Sequence, residues 1–174
     1  IRMEDNISGE WFVSDTEYGP FVHAKLGIAE ENSGKLVAKI RQVAKEIAQE
    51  QCLDYVIIDG PPGIGCPVIA SLSGVDVVLV VTEPTLSGLH DAVRVIEVAK
   101  HFNIPVKLVV NKHDLNKTIT DEIEASCQSQ DVQVIGKIPF DRKVIEALVE
   151  AKTVLEYGAS KAAEEIKSIW ESLR

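Results

Sequence analysis

The sequence predicts an α/β fold, a parallel sheet with helices on both faces, and three observations carry that expectation. Short apolar runs alternate with amphipathic stretches at intervals that fit strand–helix–strand crossovers. The chain is 45% apolar but only 5% aromatic, so its core is built from Val, Ile, Leu and Ala. Such aliphatic strands suit burial on both faces. Each run is also closed by glycine, proline, asparagine or aspartate, the residues that terminate regular structure.

Residues 1–30 stand apart as an N-terminal hairpin or edge segment. Glu10–Ser14 and Phe21–Leu26 read as short strands on either side of the turn-prone Tyr18-Gly19-Pro20. Residues 31–174 carry the alternating pattern. Asn32 to Gln51 has Leu36, Val37, Ile40, Val43, Ala44, Ile47 and Ala48 at spacings of three and four, an amphipathic helix with Asn32 or Ser33 as its cap. Asp54–Asp59 reads as a strand and Cys66–Ser73 as a short helix. Val75–Thr82 is the most apolar strand, and Leu89–Phe102 the helix that follows it. Val106–Asn111 is the next strand and Ile119–Gln130 a polar helix. Val132–Ile138 is the last strand, followed by helices at Arg142–Ala151 and about Ala162–Leu173.

The net charge of −9 argues against broad nucleic-acid binding. Cys52, Cys66 and Cys127 are scattered without metal-ligand spacing, which fits reduced thiols in the cytoplasm. Val77–Val81 is bounded by Asp76 and Glu83, so no run reaches membrane-spanning length and no transmembrane segment is expected. The chain begins Ile-Arg-Met-Glu, the start expected of a fragment.

In open parallel sheets ligands bind beyond the carboxyl ends of the strands. Four strand ends are rich in functional chemistry: Asp59-Gly60-Pro61-Pro62-Gly63, Thr82-Glu83-Pro84-Thr85, Asn111-Lys112-His113-Asp114 and Ile138-Pro139-Phe140-Asp141. A carboxylate closing a buried strand can order a hydrated Mg²⁺. The glycines after Asp59 permit backbone approach to a phosphate, and the paired prolines stiffen the loop. The plainer alternative is an Asp that caps the next turn. Asn111 and Asp114 have the chemistry to read a purine, the amide at N7 and an exocyclic group, the carboxylate at a guanine edge. GTPases spell the same Asn-Lys-x-Asp, so the four residues leave ATP and GTP both open. A polar loop in which Asp114 caps the helix near Lys117 is the bland reading. Asn32-Ser33-Gly34-Lys35 is not a phosphate loop, because Ala29 stands where its first glycine belongs and Leu36 where its Mg²⁺-binding hydroxyl belongs. Thr85 or Ser87 is expected to cap a helix or face a dimer partner. His90 and His113 read as solvated, Cys66 as a small buried thiol, Lys152 as surface charge, and Trp11 and Trp170 as packing anchors.

Val56 to Gly63 resembles the Walker B and switch II segment of the MinD/ParA/Mrp group, the P-loop ATPases with a deviant Walker A motif. From Phe21 to Asn116 the chain is similar to MinD-superfamily proteins with an inserted ferredoxin module, filed with the CobQ/CobB/MinD/ParA nucleotide-binding domains. The carrying residues are His23-Ala24-Lys25-Leu26, Glu31 to Leu36, Asp59 to Pro67, Thr82 to His90 and Asn111 to Asn116.

The resemblance implies a three-layer P-loop NTPase sandwich and an ATP-dependent switch. It casts Asp59 as the Walker B carboxylate holding Mg²⁺ through water, and Gly60, Pro61, Pro62 and Gly63 as the γ-phosphate sensor. Asn111 and Asp114 then hold the base, lined by Pro139 and Phe140. It further implies a nucleotide-bound homodimer, an unidentified protein partner and a link to iron–sulfur or electron-transfer chemistry. The family's phosphate loop, in standard or lysine-first form, is spelled nowhere in the chain, and neither are ferredoxin cysteine clusters. Both are therefore expected upstream of Ile1, with ATP hydrolysis a property of the longer protein. The alternative is a non-catalytic fragment or interaction module that keeps the fold without turnover.

Overall fold

The computed structural model describes residues 9–27 and 33–174, which form two compact units dividing between Val75 and Asp76. In the first unit, strands β1 (Gly9–Thr16) and β2 (Gly19–Leu26) form an antiparallel hairpin in which Phe12 pairs with His23. The turn is tied by the Thr16 hydroxyl. It accepts the Tyr18 N–H at 3.2 Å and donates to the Gly19 carbonyl at 2.7 Å. Helix α1 (Ser33–Glu50) packs on β2 and on the short helix α2 (Cys66–Leu72), burying Val43 and Ala48 against a core that includes Val68 and Leu72. Arg41 of α1 donates to the Ala70 and Ser73 carbonyls at 2.5 and 2.6 Å. It thereby satisfies carbonyls at the end of α2 that the helix itself leaves unpaired.

The expected strand at 54–59 does not form. A strand exists through its ladder, and no described strand is paired with this segment. Tyr55, Val56 and Ile57 are consequently exposed, Ile57 by 80%. The apolar run that signals a buried strand is present, but the neighbours that would bury it are not among the described residues.

The second unit is built on a parallel sheet of order β3 (Val78–Thr82), β4 (Val106–Asn111), β5 (Gln133–Ile138). Leu108, Val109 and Val110 of β4 are all within 1% of complete burial. Successive strand residues point to opposite faces, so the central strand is covered on both. Helices α3 (Leu86–His101) and α4 (Lys117–Ser129) make the crossovers. Helix α5 (Arg142–Val149), the single-turn α6 (Val154–Tyr157) and α7 (Lys161–Leu173) complete the unit, with α7 packed on β5. In β5 an extra residue, Ile135, shifts the register with β4 between Leu108 and Val109.

The elements begin and end where local chemistry directs. Thr85 caps α3 by accepting the Gly88 N–H at 2.9 Å, as one of the two sequence readings had it. Asn116, not Asp114, caps α4 through the Ile119 N–H at 3.2 Å. Asp141 caps α5 and Ser160 caps α7. Cys66 is exposed rather than buried, because it opens α2 at the surface. The cap expected at Asn32 lies outside the described residues. Among the described residues no helix is long and apolar enough to cross a membrane.

Candidate functional site

The carboxyl edge of the second unit's sheet gathers the ends of β3, β4 and β5. After β3, the chain passes through Glu83-Pro84 to the Thr85 cap. Gly88 keeps this loop tight, since a Cβ there would lie 2.8 Å from Thr82 Oγ1 and closer still to the Glu83 carbonyl. After β4, Lys112 adopts the left-handed region (φ 54°, ψ 39°), uncommon for a residue with a side chain. Its ammonium meets Glu83 Oε1 at 2.7 Å, joining the β4 end to the β3 end. The pair is partly exposed, so its worth lies in positioning more than in stability.

A single 3₁₀ turn, His113–Leu115, follows Lys112. The buried Thr120 hydroxyl anchors it from below, reaching the His113 carbonyl at 2.8 Å and the Asn116 carbonyl at 3.0 Å. This turn presents Asp114, whose Oδ1 accepts the backbone N–H of Phe140 at 2.7 Å. The β4 and β5 ends are thus bridged directly. That hydrogen bond is the main reason the Asp114 carboxyl is held below its ordinary range. Beyond Phe140, at the start of α5, Asp141 accepts the Ser160 hydroxyl at 2.7 Å and the Lys143 N–H at 3.0 Å, and the Ser160 bond is the first cause of its lowered pKa.

Asn111, the last residue of β4, is partly buried, and its side-chain amide makes no hydrogen bond among the described residues. Pro139 is likewise partly buried, and Phe140 is 41% exposed. The structure therefore brings together Asn111, Asp114, Pro139 and Phe140. Sequence reasoning missed the Glu83–Lys112 pair and the Asp141–Ser160 link. Their residues stood in the strand-end motifs, but no spacing rule pairs positions 29 or 19 residues apart.

In the first unit, Asp59 lies on the unpaired stretch before Gly60 and is exposed, with no hydrogen bond to its carboxylate among the described residues. Gly63 has φ 89°, a conformation that favours glycine, whereas a Cβ at Gly60 would make only ordinary contact with Ser71 Oγ at 3.6 Å. Among the described residues no set of three His, Cys, Asp or Glu side chains is arranged to hold a metal. A lone carboxylate with free lone pairs does fit Mg²⁺, which keeps most of its waters and takes its remaining ligands from phosphate oxygens. No cluster of thiols in the described residues fits an iron–sulfur group.

Residues 32–174 match the family model described as ParA, the NUBPL iron-transfer P-loop NTPase. An uncharacterized protein of Methanocaldococcus jannaschii is 34% identical over 174 residues, all of this chain and 56% of that protein. The iron–sulfur cluster carrier protein of Pyrococcus furiosus is 30% identical over 153 residues, 80% of this chain and 52% of that protein. Among solved structures, the septum site-determining protein MinD of Pyrococcus horikoshii, complexed with Mg-ADP, aligns with a TM-score of 0.64 at 21% identity. That alignment covers 80% of this chain and 56% of the other, a likeness of fold. The chain spans about half the length of the curated relatives it matches.

Proposed function

Because the chain belongs to the ParA family of P-loop NTPases, we propose that it forms the nucleotide-binding portion of an ATP-dependent switch. The observation that carries the reading is the base-side geometry of the second unit. An unpaired, partly buried Asn111 amide stands at the end of a parallel strand, beside a Pro139-Phe140 backbone braced by Asp114. In this reading Asn111 holds the purine and Pro139 and Phe140 line it. Asp59 orders Mg²⁺ through water, and Gly60-Pro61-Pro62-Gly63 forms the loop that responds to the γ-phosphate. The chemistry is positioning and charge stabilisation, which needs placed dipoles and a metal more than a nucleophilic side chain.

Turnover, nucleotide-bound dimerisation and a partner protein are assigned to the whole protein in the cytoplasm. The Mg-ADP complex of the MinD neighbour supports an adenine nucleotide with Mg²⁺. Relatives named as iron–sulfur carriers support metal-cluster delivery as the task, with any cluster as cargo rather than a resident group of the described residues. The alternative of an interaction module without turnover draws on α5, where Ile145, Leu148 and Val149 are exposed by 54, 70 and 82% at helical spacing.

Equilibrium binding of ATP to the full-length protein, with and without Mg²⁺, separates the two readings. Asn111→Ala is expected to weaken ATP about tenfold under both conditions, the loss of one or two net hydrogen bonds. Asp59→Ala is expected to remove the Mg²⁺ dependence and the turnover while leaving Mg²⁺-free binding in place. Mg²⁺-dependent affinity and turnover that survive Asp59→Ala would refute its assignment. ATP binding that ignores Asn111 would refute its role at the base, and a full-length protein that binds no ATP, or binds it without turnover, would favour the interaction module.

A further inference from the structure

We propose that the outer edge of β1 is a docking surface for a second copy of this chain. The two β1 strands pair antiparallel about a two-fold axis at Phe12, joining two hairpins into a four-stranded sheet. The inference stands on the first unit alone, and it is independent of the nucleotide reading and of any nucleotide-bound dimer.

A strand at the margin of a sheet presents unpaired N–H and C=O groups, and proteins blunt such margins with proline, lysine, bulges or a covering element. β2 has that protection: Pro20 lacks an N–H, Lys25 adds charge, and α1 packs mainly on this strand. β1 has none of it. It runs eight residues without proline, lysine or arginine, and its register with β2 is unbroken from Gly9 to Thr16. Between its carboxylates, Glu10 and Asp15, stand Trp11, Phe12 and Val13, which are 42, 43 and 47% exposed. Aromatic side chains at an unblunted edge are the composition of an interface.

Pleat and charge select both the occupant and the register. Gly9, Trp11, Val13 and Asp15 lie on the face where α1 packs, because a Cβ at Gly9 would meet Leu36 Cδ2 at 3.1 Å and Lys39 Nζ lies 5.6 Å from the Trp11 ring centre. Phe12 and Ser14 lie on the other face. A two-fold axis at Phe12 sets Phe12 against the partner's Phe12, Trp11 against the partner's Val13, Glu10 against the partner's Ser14 and Asp15 against the partner's Gly9. No carboxylate then faces another, although the chain carries a net charge of −9. Asp15 comes diagonal to the partner's Trp11, within reach of the partner's Lys39 over that ring. Neither Asp15 nor Lys39 is in an ion pair among the described residues, so both are available for this one. On the other face Phe12 already stacks on His23 at 5.3 Å, and the His23 ring is held by Ser14 Oγ at 3.0 Å from Nε2. Pairing extends that row through both Phe12 rings with little side-chain reordering. An axis at Val13 would set Phe12 against serine and Trp11 against aspartate, giving up the ring pair and the Trp11–Val13 pair.

The test is sedimentation of the full-length protein, free of nucleotide and Mg²⁺, over a concentration series. One edge strand is a small interface, so a reversible dimer is expected with a dissociation constant on the order of 10 μM. Phe12→Lys opposes two ammonium groups at the axis and should weaken association at least about tenfold, whereas Phe21→Lys, on the same face but on β2, should change it less than about twofold. Asp15→Lys should also weaken it, and adding Lys39→Asp to that variant should restore it. Register is read by oxidation in a background with Cys52→Ser and Cys66→Ser. Phe12→Cys should crosslink to a dimer, since opposed Cα atoms about 4.5–5.5 Å apart suit a disulfide, and Ser14→Cys should not. The crosslink also decides the matter if Phe12→Lys fails to fold. A protein that stays monomeric to about 500 μM overturns the inference, as does association that appears only with Mg²⁺ and ATP. So does a dimer indifferent to Phe12→Lys, or Ser14→Cys crosslinking as readily as Phe12→Cys.

Discussion

Gly136 shows how a single absent side chain positions an element. It lies on β5 opposite Ile169 of α7, and a Cβ built there would fall 2.6 Å from Ile169 Cδ1 and closer still to Cγ1. Ile169 is 6% exposed and branched at Cβ, which restricts how far it can turn aside. Gly136→Ala should therefore push α7 off the sheet and cost about 1–3 kcal/mol in urea unfolding, the usual range for overpacking. Combining it with Ile169→Ala should cost less than the sum of the two changes, since one cavity receives the other's methyl. An alanine variant as stable as the parent would show that α7 is not held by this contact. Nothing in the sequence marks this glycine, because its reason lies 33 residues away. The same distance problem hid the Lys112–Glu83 pair. The place of Asn111 at the end of β4, by contrast, was legible, since a polar side chain closing an apolar strand stands out from its neighbours alone.

At the scale of elements, β4 was read from the sequence with both ends correct, because Val106–Asn111 is a short apolar run between a proline and a polar loop. α6 was missed, although Thr153 and Glu156 spell a capping box that the structure forms in both directions. The 54–59 run was misread for a different reason. Apolar content measures a tendency to be buried, and strand structure needs a hydrogen-bonding neighbour that a run cannot supply itself. The caps carry a prediction of their own. Asp141 holds the N-terminus of α5 while accepting from Ser160, the cap of α7, so one carboxylate couples two helices. Its folded pKa is lowered, chiefly by the Ser160 bond. A depressed carboxylate stabilises fully above its unfolded pKa and loses that contribution as pH falls through the folded value. The stability difference between the parent and Asp141→Ala should accordingly be flat from about pH 7 to about pH 5 and shrink below about pH 4. Thermal melts across that range provide the measurement. A difference that grows on acidification would rule out the coupling.

At the scale of the whole chain, burial is unequally distributed between the two units. Among the described residues, the first unit buries four apolar side chains, Val43, Ala48, Val68 and Leu72, against seventeen in the second. Its hairpin leaves Trp11, Phe12, Val13 and Phe21 more than 40% exposed, and Phe12 and Phe21 stack on His23 at 5.3 and 4.9 Å rather than entering a core. The backbone N–H groups of residues 56–60 and of Gly63 have no hydrogen-bond partner among the described residues, and Pro61 and Pro62 carry none. Local opening free energy follows buried contacts and protected hydrogen bonds, so the chain should not unfold as one cooperative body. Hydrogen exchange followed by mass spectrometry on this chain should find 56–63 exchanging almost at once and β1, β2 and α1 next. β4 should be slowest, because Leu108, Val109 and Val110 are sealed on both faces. Uniform protection across Val75 and Asp76, with a single coincident transition in denaturant, would contradict the division. A loop that carries Asp59 and the glycine–proline hinge has to move on binding phosphate if the chain is a switch. Low protection at 56–63 that rises when Mg²⁺ and ATP are added to the full-length protein is the result this predicts, and protection indifferent to nucleotide would separate that loop from the switch.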